Sequence, residues 1–368
     1  MAGNIGVIAS PWMEPHRRAV FLVSVVTLHL GVVLAFGRIR RAIQAAWMMR
    51  RLGGGERATG DKGLVRGVTE AGTEYDLYEP SRRIRRTLVA VSGMTAQGER
   101  DSRLIRFCEV FAGSGFRMAS VHLPGLHSFR EDLADLEAIR DLVATLQESH
   151  GGQIGIVGFS FGAGIALAAA VTPELQGKVG PLILFGPHHQ LASIYDALAE
   201  RVPRFDDPEQ VWRDDVYAVL CLAQRAREEL GLDAEQRLEL QRLLEGFCCE
   251  PSPEAERRFY EAALRHRPVG TVGLEVMARE HLDRLSPRGK LAELEGRVMM
   301  LTDRNDRVVP PEHSRRIFEE LRARKGGHGQ RLLITPLLSH VTVATIWRVH
   351  DLVRLLDVFG ELFVKEKR

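Results

Sequence analysis

The sequence predicts an α/β fold in which a mostly parallel sheet is flanked by helices and interrupted by a helical insertion. Three observations support this prediction. Short apolar runs typical of buried strands alternate with amphipathic runs of helical length, as in parallel sheets with right-handed crossovers. One strand-like run leads directly into a glycine-rich turn and a helix of small residues. A long segment with helical patterns alone then separates the later strands from the earlier ones.

The first half of the predicted sheet begins with a hairpin. Residues 64–68 and 74–78 alternate in polarity around Ala71-Gly72, which favours two antiparallel strands joined by a tight turn. The continuous apolar runs 87–91 and 118–121 are typical of strands buried on both faces. Between the strands, apolar residues recur at helical spacing, at Leu104, Phe107, Cys108 and Phe111 and again at Leu133, Leu136, Ile139, Leu142 and Leu146.

Three further apolar runs supply the second half of the predicted sheet. A helix is predicted after the last of them. The strand-like runs are residues 181–185, 297–301 and 331–334, and a closing helix is predicted over residues 343–364. Residues 188–288 are rich in Glu, Arg, Leu and Ala and contain no strand pattern. We therefore predict that this segment is a helical cap, inserted between two strands of the core and covering the candidate site.

The N-terminal segment, residues 1–62, differs in kind from the rest, since residues 19–37 contain no Asp, Glu, Lys or Arg. At ~1.5 Å per residue this run is about as long as a bilayer core is thick. It is longer than the apolar core of a cleaved signal peptide, and it ends in arginines. We predict a single-pass membrane anchor followed by an interfacial juxtamembrane segment over residues 38–62; a buried or monotopic helix is the alternative. The α/β core is then residues 63–187 and 289–368.

The arginines around the apolar run predict its orientation in the membrane. Two arginines lie directly before the run, and five lie within the fourteen residues after it. By the positive-inside rule, the C-terminal side of the anchor, and with it the catalytic domain, is expected in the cytoplasm.

Composition argues against several other classes of function. The net charge of +2 and the absence of a basic patch interleaved with aromatic residues argue against nucleic-acid binding. The four cysteines have no metal-ligand spacing. We therefore expect neither a metal nor an organic cofactor, and the patterns leave the oligomeric state open.

The most informative motif is G-F-S-F-G at residues 158–162. It follows the strand-like run 154–157 and precedes the small-residue helix 163–171. This is the context of a nucleophile elbow, a strand-to-helix turn so tight that it needs glycine at the flanking positions and raises a serine hydroxyl above the sheet. Ser160 is therefore the candidate nucleophile.

A serine nucleophile needs a base, and the base needs a carboxylate to orient it. In elbow-type hydrolases the chain order is Ser, then Asp or Glu, then His, with both partners just past later strands. Asp306 and His340 fit this order, since they follow the strand-like runs 297–301 and 331–334. Asp303, which is closer to the strand end, is the alternative acid. The non-catalytic alternatives are a solvated turn aspartate and a loop histidine that caps a backbone group.

An oxyanion hole requires two N–H donors directed at the developing negative charge. We predict the backbone N–H groups of Phe161, directly after the nucleophile, and of Met94, in the loop 92–94 after the third predicted strand. The positive end of the helix that starts near Gly162 would add to their effect. The loop histidines, predicted to make local hydrogen bonds or to line the substrate pocket, are His122, His127, His188 and His189.

Four further motifs accompany the elbow. They are Ser92-Gly93, Leu123-Pro124-Gly125, Asp306-Arg307-Val308-Val309-Pro310 and Ser339-His340. Together they make residues 64–368 resemble the α/β-hydrolase fold family, whose members carry His-Gly, Pro-Gly, Asp-x-x-Val-Pro and Ser-His at these places. The resemblance implies an α/β-hydrolase-type sheet and a Ser-His-Asp triad made of Ser160, His340 and Asp306. Thr302-Asp303 stands where the family often has His-Gly, so Asp303 stays the alternative acid.

The combined interpretation is a membrane-anchored serine hydrolase that cleaves carboxylic esters through an acyl-enzyme. The predicted anchor and the apolar faces of the cap favour lipid-like acyl esters as substrates. A serine nucleophile disfavours epoxide hydrolases and dehalogenases, family members that generally use aspartate. The alternatives are an acyltransferase, thioesterase or peptidase with the same triad, or a non-catalytic scaffold tethered to the membrane.

Overall fold

The computed structural model describes two long stretches of the chain, residues 64–195 without 82, 96 and 129, and residues 279–336 without 307 and 325–328. It also describes the short pieces 43–44, 46–48, 51–52, 338–339 and 342–343 and the single positions 235, 239, 242 and 258. The predicted anchor at residues 19–37 and most of the predicted cap at residues 188–288 lie outside these residues. Within the described part of the chain, no helix is both long and apolar enough to cross a membrane.

Strands and helices alternate along the described chain. The strands are β1 (Leu64–Val68), β2 (Glu74–Tyr78), β3 (Arg86–Val91), β4 (Phe116–Val121), β5 (Ile154–Phe159), β6 (Val179–Phe185), β7 (Val298–Asp303), β8 (Arg331–Thr335), β9 (Leu338–Ser339) and β10 (Thr342–Val343). The α-helices are α1 (Ser102–Gly113), α2 (Pro124–His127), α3 (Leu133–His150), α4 (Ser160–Ala170), α5 (Arg279–Arg284) and α6 (Pro311–Ala323). Short 3₁₀ turns lie at Gly98–Arg100, Pro173–Leu175 and Leu291–Glu293.

Eight of these strands form one sheet in the order β1-β2-β4-β3-β5-β6-β7-β8. β1 pairs antiparallel with β2, and β2 with β4, whereas every pair from β4 to β8 is parallel. The predicted hairpin and the mostly parallel sheet are therefore confirmed. The chain leaves β3 towards β4 on one side and returns to β5 on the other, so the strand order reverses between β3 and β5. Open α/β sheets bind ligands in the crevice at such a switch point, outside the carboxyl ends of the strands.

The core lies on both faces of the sheet, as the continuous apolar strands predict. Along β3, Val89 and Val91 belong to one buried cluster, while Leu88 and Ala90 belong to the other. The first cluster packs beneath α3 and α4, and the second packs beneath α1. Burying one Leu, Ile, Val or Phe side chain contributes roughly 1.5–3 kcal/mol, so these two clusters are the main stabilising element of the fold.

The predicted helix faces are also confirmed. In α1 the buried face contains Leu104, Phe107, Cys108 and Phe111, and in α3 it contains Leu136, Ile139, Leu142 and Leu146. An aspartate begins each helix, since Asp101 accepts a hydrogen bond from the Arg103 N–H and Asp132 from the Ala134 N–H. Only residue 343 of the predicted closing helix is described, and it belongs to β10, which pairs with β9 in a small hairpin.

Candidate active site

Ser160 occupies the turn from β5 into α4 with a backbone φ of +52°. It is the one residue other than glycine with positive φ among those described. A non-glycine residue in this region costs about 1–3 kcal/mol and persists only where the surroundings enforce it. The preceding residue, Phe159, is still extended at φ −123° and ψ 130°. The local geometry is therefore the sharp strand-to-helix turn that the motif predicts, with its strain concentrated on the serine.

The two glycines of the motif are required because neighbouring backbone leaves no room for a side chain. A Cβ atom on Gly158 would lie 2.6 Å from the Ala163 Cα, one turn into α4. A Cβ atom on Gly162 would lie 2.9 Å from the Ser92 carbonyl carbon and overlap the Ser92 oxygen. Gly162 therefore lets α4 pack directly on the loop that follows β3.

Replacing Gly162 with alanine is expected to destabilise the protein by about 1–3 kcal/mol, because the new methyl group overlaps backbone that cannot move aside. Helix propensity alone would favour alanine by about 1 kcal/mol, which is the opposite sign. Gly113, the last residue of α1, is the matched control, since a Cβ atom there would meet only the flexible Arg51 guanidinium at 3.3 Å. Thermal melting gives the stability of Gly162→Ala and of Gly113→Ala relative to the wild type. A melting temperature of Gly162→Ala at or above that of the wild type would contradict the packing described.

The loop after β3 lies against the nucleophile. A Cβ atom on Gly93 would lie 3.2 Å from both the Ser160 Cβ and the Phe159 carbonyl oxygen. Met94, the next residue, and Phe161, the residue after the serine, are both buried. The structure thus brings the two predicted oxyanion residues to the same side of the switch point as Ser160.

Both candidate acids lie at the carboxyl end of β7, which is two strands from β5 and so about 10 Å away along the sheet. Asp303 is the last residue of β7, and its Oδ1 accepts a hydrogen bond from the Asn305 N–H at 3.0 Å. Asp306 accepts two hydrogen bonds at its Oδ1, from the Val308 and Val309 N–H groups at 2.9 Å each. Both carboxylates are buried. The Val308 and Val309 N–H groups thus hold the Asp306 carboxylate against the turn that follows β7.

His340 lies outside the described residues, so its distance to either carboxylate stays untested. The surrounding strands show where its loop begins. Thr335, at the end of β8, is the register partner of Asp303, and its carbonyl accepts a hydrogen bond from the Arg304 N–H at 3.1 Å. The short strand β9, which directly precedes His340 in the chain, packs beside β7. The segment that carries His340 thus starts next to the strand that carries both acids.

Two of the loop histidines, predicted to make local hydrogen bonds or to line the pocket, make hydrogen bonds to distant parts of the chain. His188 follows β6, is fully buried, and donates from its Nε2 to the Leu285 carbonyl at 3.1 Å. Its ring packs on Gly164 of α4 and lies 6.0 Å from the Phe161 ring. His189 donates from its Nε2 to the Glu320 carboxylate at 2.9 Å. These bonds tie the segment after β6 to residue 285 and to α6, beside the elbow helix.

Sequence reasoning missed two buried groups that hold loops near the site. The His189 backbone N–H donates to the Nδ1 of His313, on α6, at 3.2 Å. Asp135, on α3, is fully buried and accepts the N–H groups of Gly125 and Leu126 at 3.1 and 2.8 Å. Asp135 therefore anchors the Pro-Gly loop after β4. Its position in an otherwise apolar helix face, ten residues after that loop, is the only sequence signal for this role.

Burial changes the pKa values of these groups in opposite senses. It lowers the pKa of His188 to about 3 and that of His313 to about 4, from an ordinary value of 6.5. It also lowers the pKa of His127 to about 4. Burial raises the pKa of Asp135 to about 6, against the two N–H donors that lower it. All three histidines are thus neutral at pH 7, whereas Asp135 is charged there.

These pKa values predict that the protein loses stability on acidification from pH 6.5 to 4.5. The unfolded chain binds protons at the three histidines in this range before the folded chain does, which lowers stability as pH falls. Asp135 opposes this loss of stability, because on acidification its carboxylate is protonated at a higher pH in the folded state than in the unfolded state. For these four groups in the metal-free protein, the net uptake on unfolding near pH 5 is about two protons, or about 2–3 kcal/mol per pH unit. Urea-unfolding midpoints across this range measure it, and stability that is flat or rises towards pH 4.5 would contradict it.

Comparison with known proteins gives a family match and several structural similarities. The model of the alpha/beta hydrolase family matches residues 103–343, well over half of the chain. No curated protein matches the chain in sequence.

Three solved structures illustrate the structural similarities. An esterase from Pyrococcus furiosus is 12% identical with a TM-score of 0.45, and the match covers 81% of this chain and 90% of that one. A meta-cleavage product hydrolase from Pseudomonas fluorescens IP01 is 15% identical with a TM-score of 0.44, covering 82% and 97%. An acylaminoacyl peptidase from Pyrococcus horikoshii is 13% identical with a TM-score of 0.45, covering 83% of this chain and 42% of that one. This chain thus spans less than half the length of the peptidase.

Proposed function

Since the chain belongs to the alpha/beta hydrolase family, we propose that it hydrolyses carboxylic esters with Ser160 as the nucleophile. The observation that carries this proposal is the φ of +52° at Ser160, at the switch point of the sheet and directly before α4. Ser160 is the one non-glycine residue of the described chain with positive φ, and such strain is characteristic of a functional position. A serine with a purely structural role has no need of it.

In the proposed reaction the Ser160 hydroxyl attacks the ester carbonyl while His340 removes its proton. The tetrahedral oxyanion accepts hydrogen bonds from the backbone N–H groups of Phe161 and Met94. His340 then donates the proton to the leaving alcohol, which leaves an acyl group on Ser160. A water molecule, deprotonated by the same imidazole, releases the acid and restores the serine.

We assign Asp306 rather than Asp303 as the residue that orients His340. The Val308 and Val309 N–H groups both bind Oδ1 of Asp306, which holds the carboxylate in one orientation. The assignment pairs Oδ2 with an N–H of His340. Asp303 also accepts the N–H of the residue two positions on, Asn305, as in an Asx turn. The choice of Asp306 therefore rests on its additional contact with the Val309 N–H and on its place in the Asp-x-x-Val-Pro sequence.

The proposal includes attachment to a membrane through residues 19–37, with the catalytic domain in the cytoplasm. Its support is the uncharged run and the arginines that follow it. Membrane fractionation of cells expressing the full chain tests the attachment, and protease treatment of intact cells tests the orientation. Release of the protein from the membrane fraction by a high-salt wash would contradict the anchor. Digestion of the catalytic domain by external protease would contradict the orientation alone.

The class of substrate is tested with a series of p-nitrophenyl esters from acetate to palmitate and a matched p-nitroanilide. We expect ester hydrolysis, with kcat/KM rising with acyl length if the substrates are lipid-like. A preference for short esters would remove the lipid proposal and keep the esterase. Faster cleavage of the anilide would identify a peptidase. Transfer of the acyl group to an added alcohol, in preference to water, would identify an acyltransferase.

A further inference from the structure

Three chemically active side chains meet on the site edge of the sheet, outside the proposed triad. Glu99 belongs to the 3₁₀ turn in the loop after β3, the same loop that carries Met94. His122 directly follows β4, and His127 ends the short helix α2. The three residues come from two loops that follow neighbouring parallel strands. We refer to them as the Glu99 cluster.

The distances within the Glu99 cluster converge on a single carboxylate oxygen. Glu99 Oε2 lies 2.9 Å from His122 Nδ1 and 3.2 Å from His127 Nε2. The three candidate ligand atoms all lie within 4.8 Å of one another. In a tetrahedral Zn²⁺ site with bonds of ~2.0–2.1 Å, ligand atoms lie about 3.3 Å apart. The two distances from Glu99 are therefore already close to the spacing that one bound metal ion requires, and the two imidazole nitrogens lie within 4.8 Å of each other.

One contact in the cluster is unsatisfied as a hydrogen bond. His127 Nε2 is buried and only 3.2 Å from the carboxylate, yet it makes no hydrogen bond. Leaving a buried polar atom without a hydrogen-bond partner is unfavourable, because the atom has lost its contact with water. A metal ion placed between the two atoms would turn this contact into two coordination bonds.

The backbone around the cluster holds the three side chains in place. The His122 N–H donates to the Glu74 carbonyl at 3.0 Å, which fixes the start of its loop. The His127 N–H donates to the Leu123 carbonyl at 3.1 Å. Gly98, with φ +50°, passes so close to the His127 ring that no Cβ atom would fit. The site is therefore formed by fixed loops and needs little rearrangement to bind an ion.

The charges around the cluster are mixed. Arg100 approaches the other oxygen of Glu99, Oε1, at 3.4 Å and leaves Oε2 facing the two imidazoles. Asp76, on β2, interacts electrostatically with Glu99 and His122, and is itself paired with Arg66 at 3.5 Å. The arginine charges offset part of the carboxylate charge, so a site with one neutralising carboxylate and two imidazoles suits Zn²⁺ better than a hard cation that needs several oxygen ligands.

We propose that Glu99, His122 and His127 bind one divalent transition-metal ion of the Zn²⁺ type. The ligands are Glu99 Oε2, His122 Nδ1 and His127 Nε2, and the fourth position faces solvent beside His122, whose side chain is 34% exposed. The ion links the loop that carries Met94 to the Pro-Gly loop after β4. It thereby stiffens the loop that supplies one oxyanion donor, and it takes no part in the bond-breaking step.

The test is metal binding by the full-length protein after treatment with EDTA. Equilibrium dialysis against micromolar Zn²⁺, followed by metal analysis, is expected to give one ion per chain. Substitution with Co²⁺ is expected to give visible absorption bands of a four-coordinate ion. Glu99→Gln and His122→Ala are each expected to lower the affinity at least tenfold. His150→Ala, an exposed histidine at the end of α3, is the matched control and is expected to bind like the wild type.

Three results would overturn the proposal: no saturable binding by the folded wild type, binding that both cluster variants retain, or equal loss in His150→Ala. Circular dichroism of each metal-free variant establishes that it is folded, and Glu99→Gln, which keeps the shape of the side chain, serves if His122→Ala does not fold. Ser160→Ala is expected to bind the metal normally. Its metal binding and its hydrolytic activity therefore separate this proposal from the proposed function.

Discussion

Replacing Ser160 with alanine is expected to lower kcat for ester hydrolysis by roughly 10⁴-fold or more, because no oxygen remains to form the acyl-enzyme. Steady-state kinetics with a p-nitrophenyl ester measure this directly. The fold should be retained, since alanine fits wherever the serine does. A variant that kept more than a tenth of the wild-type kcat would show that another residue is the nucleophile.

A second variant at the same position separates a strained nucleophile from an ordinary core serine. Ser160→Gly is expected to be as inactive as Ser160→Ala but more stable by about 1 kcal/mol, because glycine adopts a φ of +52° without the Cβ penalty. Helix propensity ranks the two residues the other way. Thermal melting of Ser160→Gly and Ser160→Ala shows which of the two variants is more stable. A less stable glycine variant would mean that Ser160 is not strained as described.

The second large effect is expected at Asp306. Asp306→Asn should lower kcat by roughly 10⁴-fold, since the amide presents an N–H where His340 requires an acceptor and so favours the wrong tautomer. The asparagine oxygen can still accept the Val308 and Val309 N–H groups, so stability should change little. KM should change much less than kcat, because the carboxylate does not touch substrate.

Asp303→Asn is the matched control for this prediction. It changes the same chemical group three residues earlier, and its amide oxygen can still accept the Asn305 N–H. We expect less than a tenfold loss of kcat. The reverse result, a large loss in Asp303→Asn and a small one in Asp306→Asn, would make Asp303 the acid and remove the role assigned to Asp306.

The fold could be predicted from the sequence because the central strands, β3 to β7, are buried on both faces. Runs such as 87–91 and 154–157 contain little but apolar residues, and the helices between them show one apolar face. The strand order could not be predicted in the same way. Which neighbour β3 takes on each side depends on how α1, α3 and α4 pack, and no local pattern records that.

The elbow was predictable in the same local sense, because the chemistry of the turn is written in adjacent residues. The contact of Gly158 with Ala163 follows from the turn itself, whereas Gly162 is required by Ser92, in the loop after β3. Asp135 and His313 were not predictable, since each looks like an ordinary polar residue on an amphipathic helix. Their roles depend on loops that folding brings to them from elsewhere in the chain.

The Glu99 cluster could be predicted from the sequence even less than the roles of Asp135 and His313. His122 and His127 were expected to make local hydrogen bonds or to line the substrate pocket, whereas His122 binds Glu99, 23 residues earlier in the chain. Their spacing in the chain matches no metal-binding motif, and Glu99 lies more than twenty residues before them. Only the parallel pairing of β3 and β4 places the two loops side by side.

The most direct test of the central claim is covalent labelling with a fluorophosphonate probe, followed by mass spectrometry of the digested protein. A triad that activates a serine for attack on carbonyl groups also activates it for attack on this phosphorus. We predict a single adduct on the peptide that contains residues 158–162, located at Ser160 and missing from Ser160→Ala. A folded wild-type protein that takes up no probe, or a label that persists in Ser160→Ala, would contradict the account.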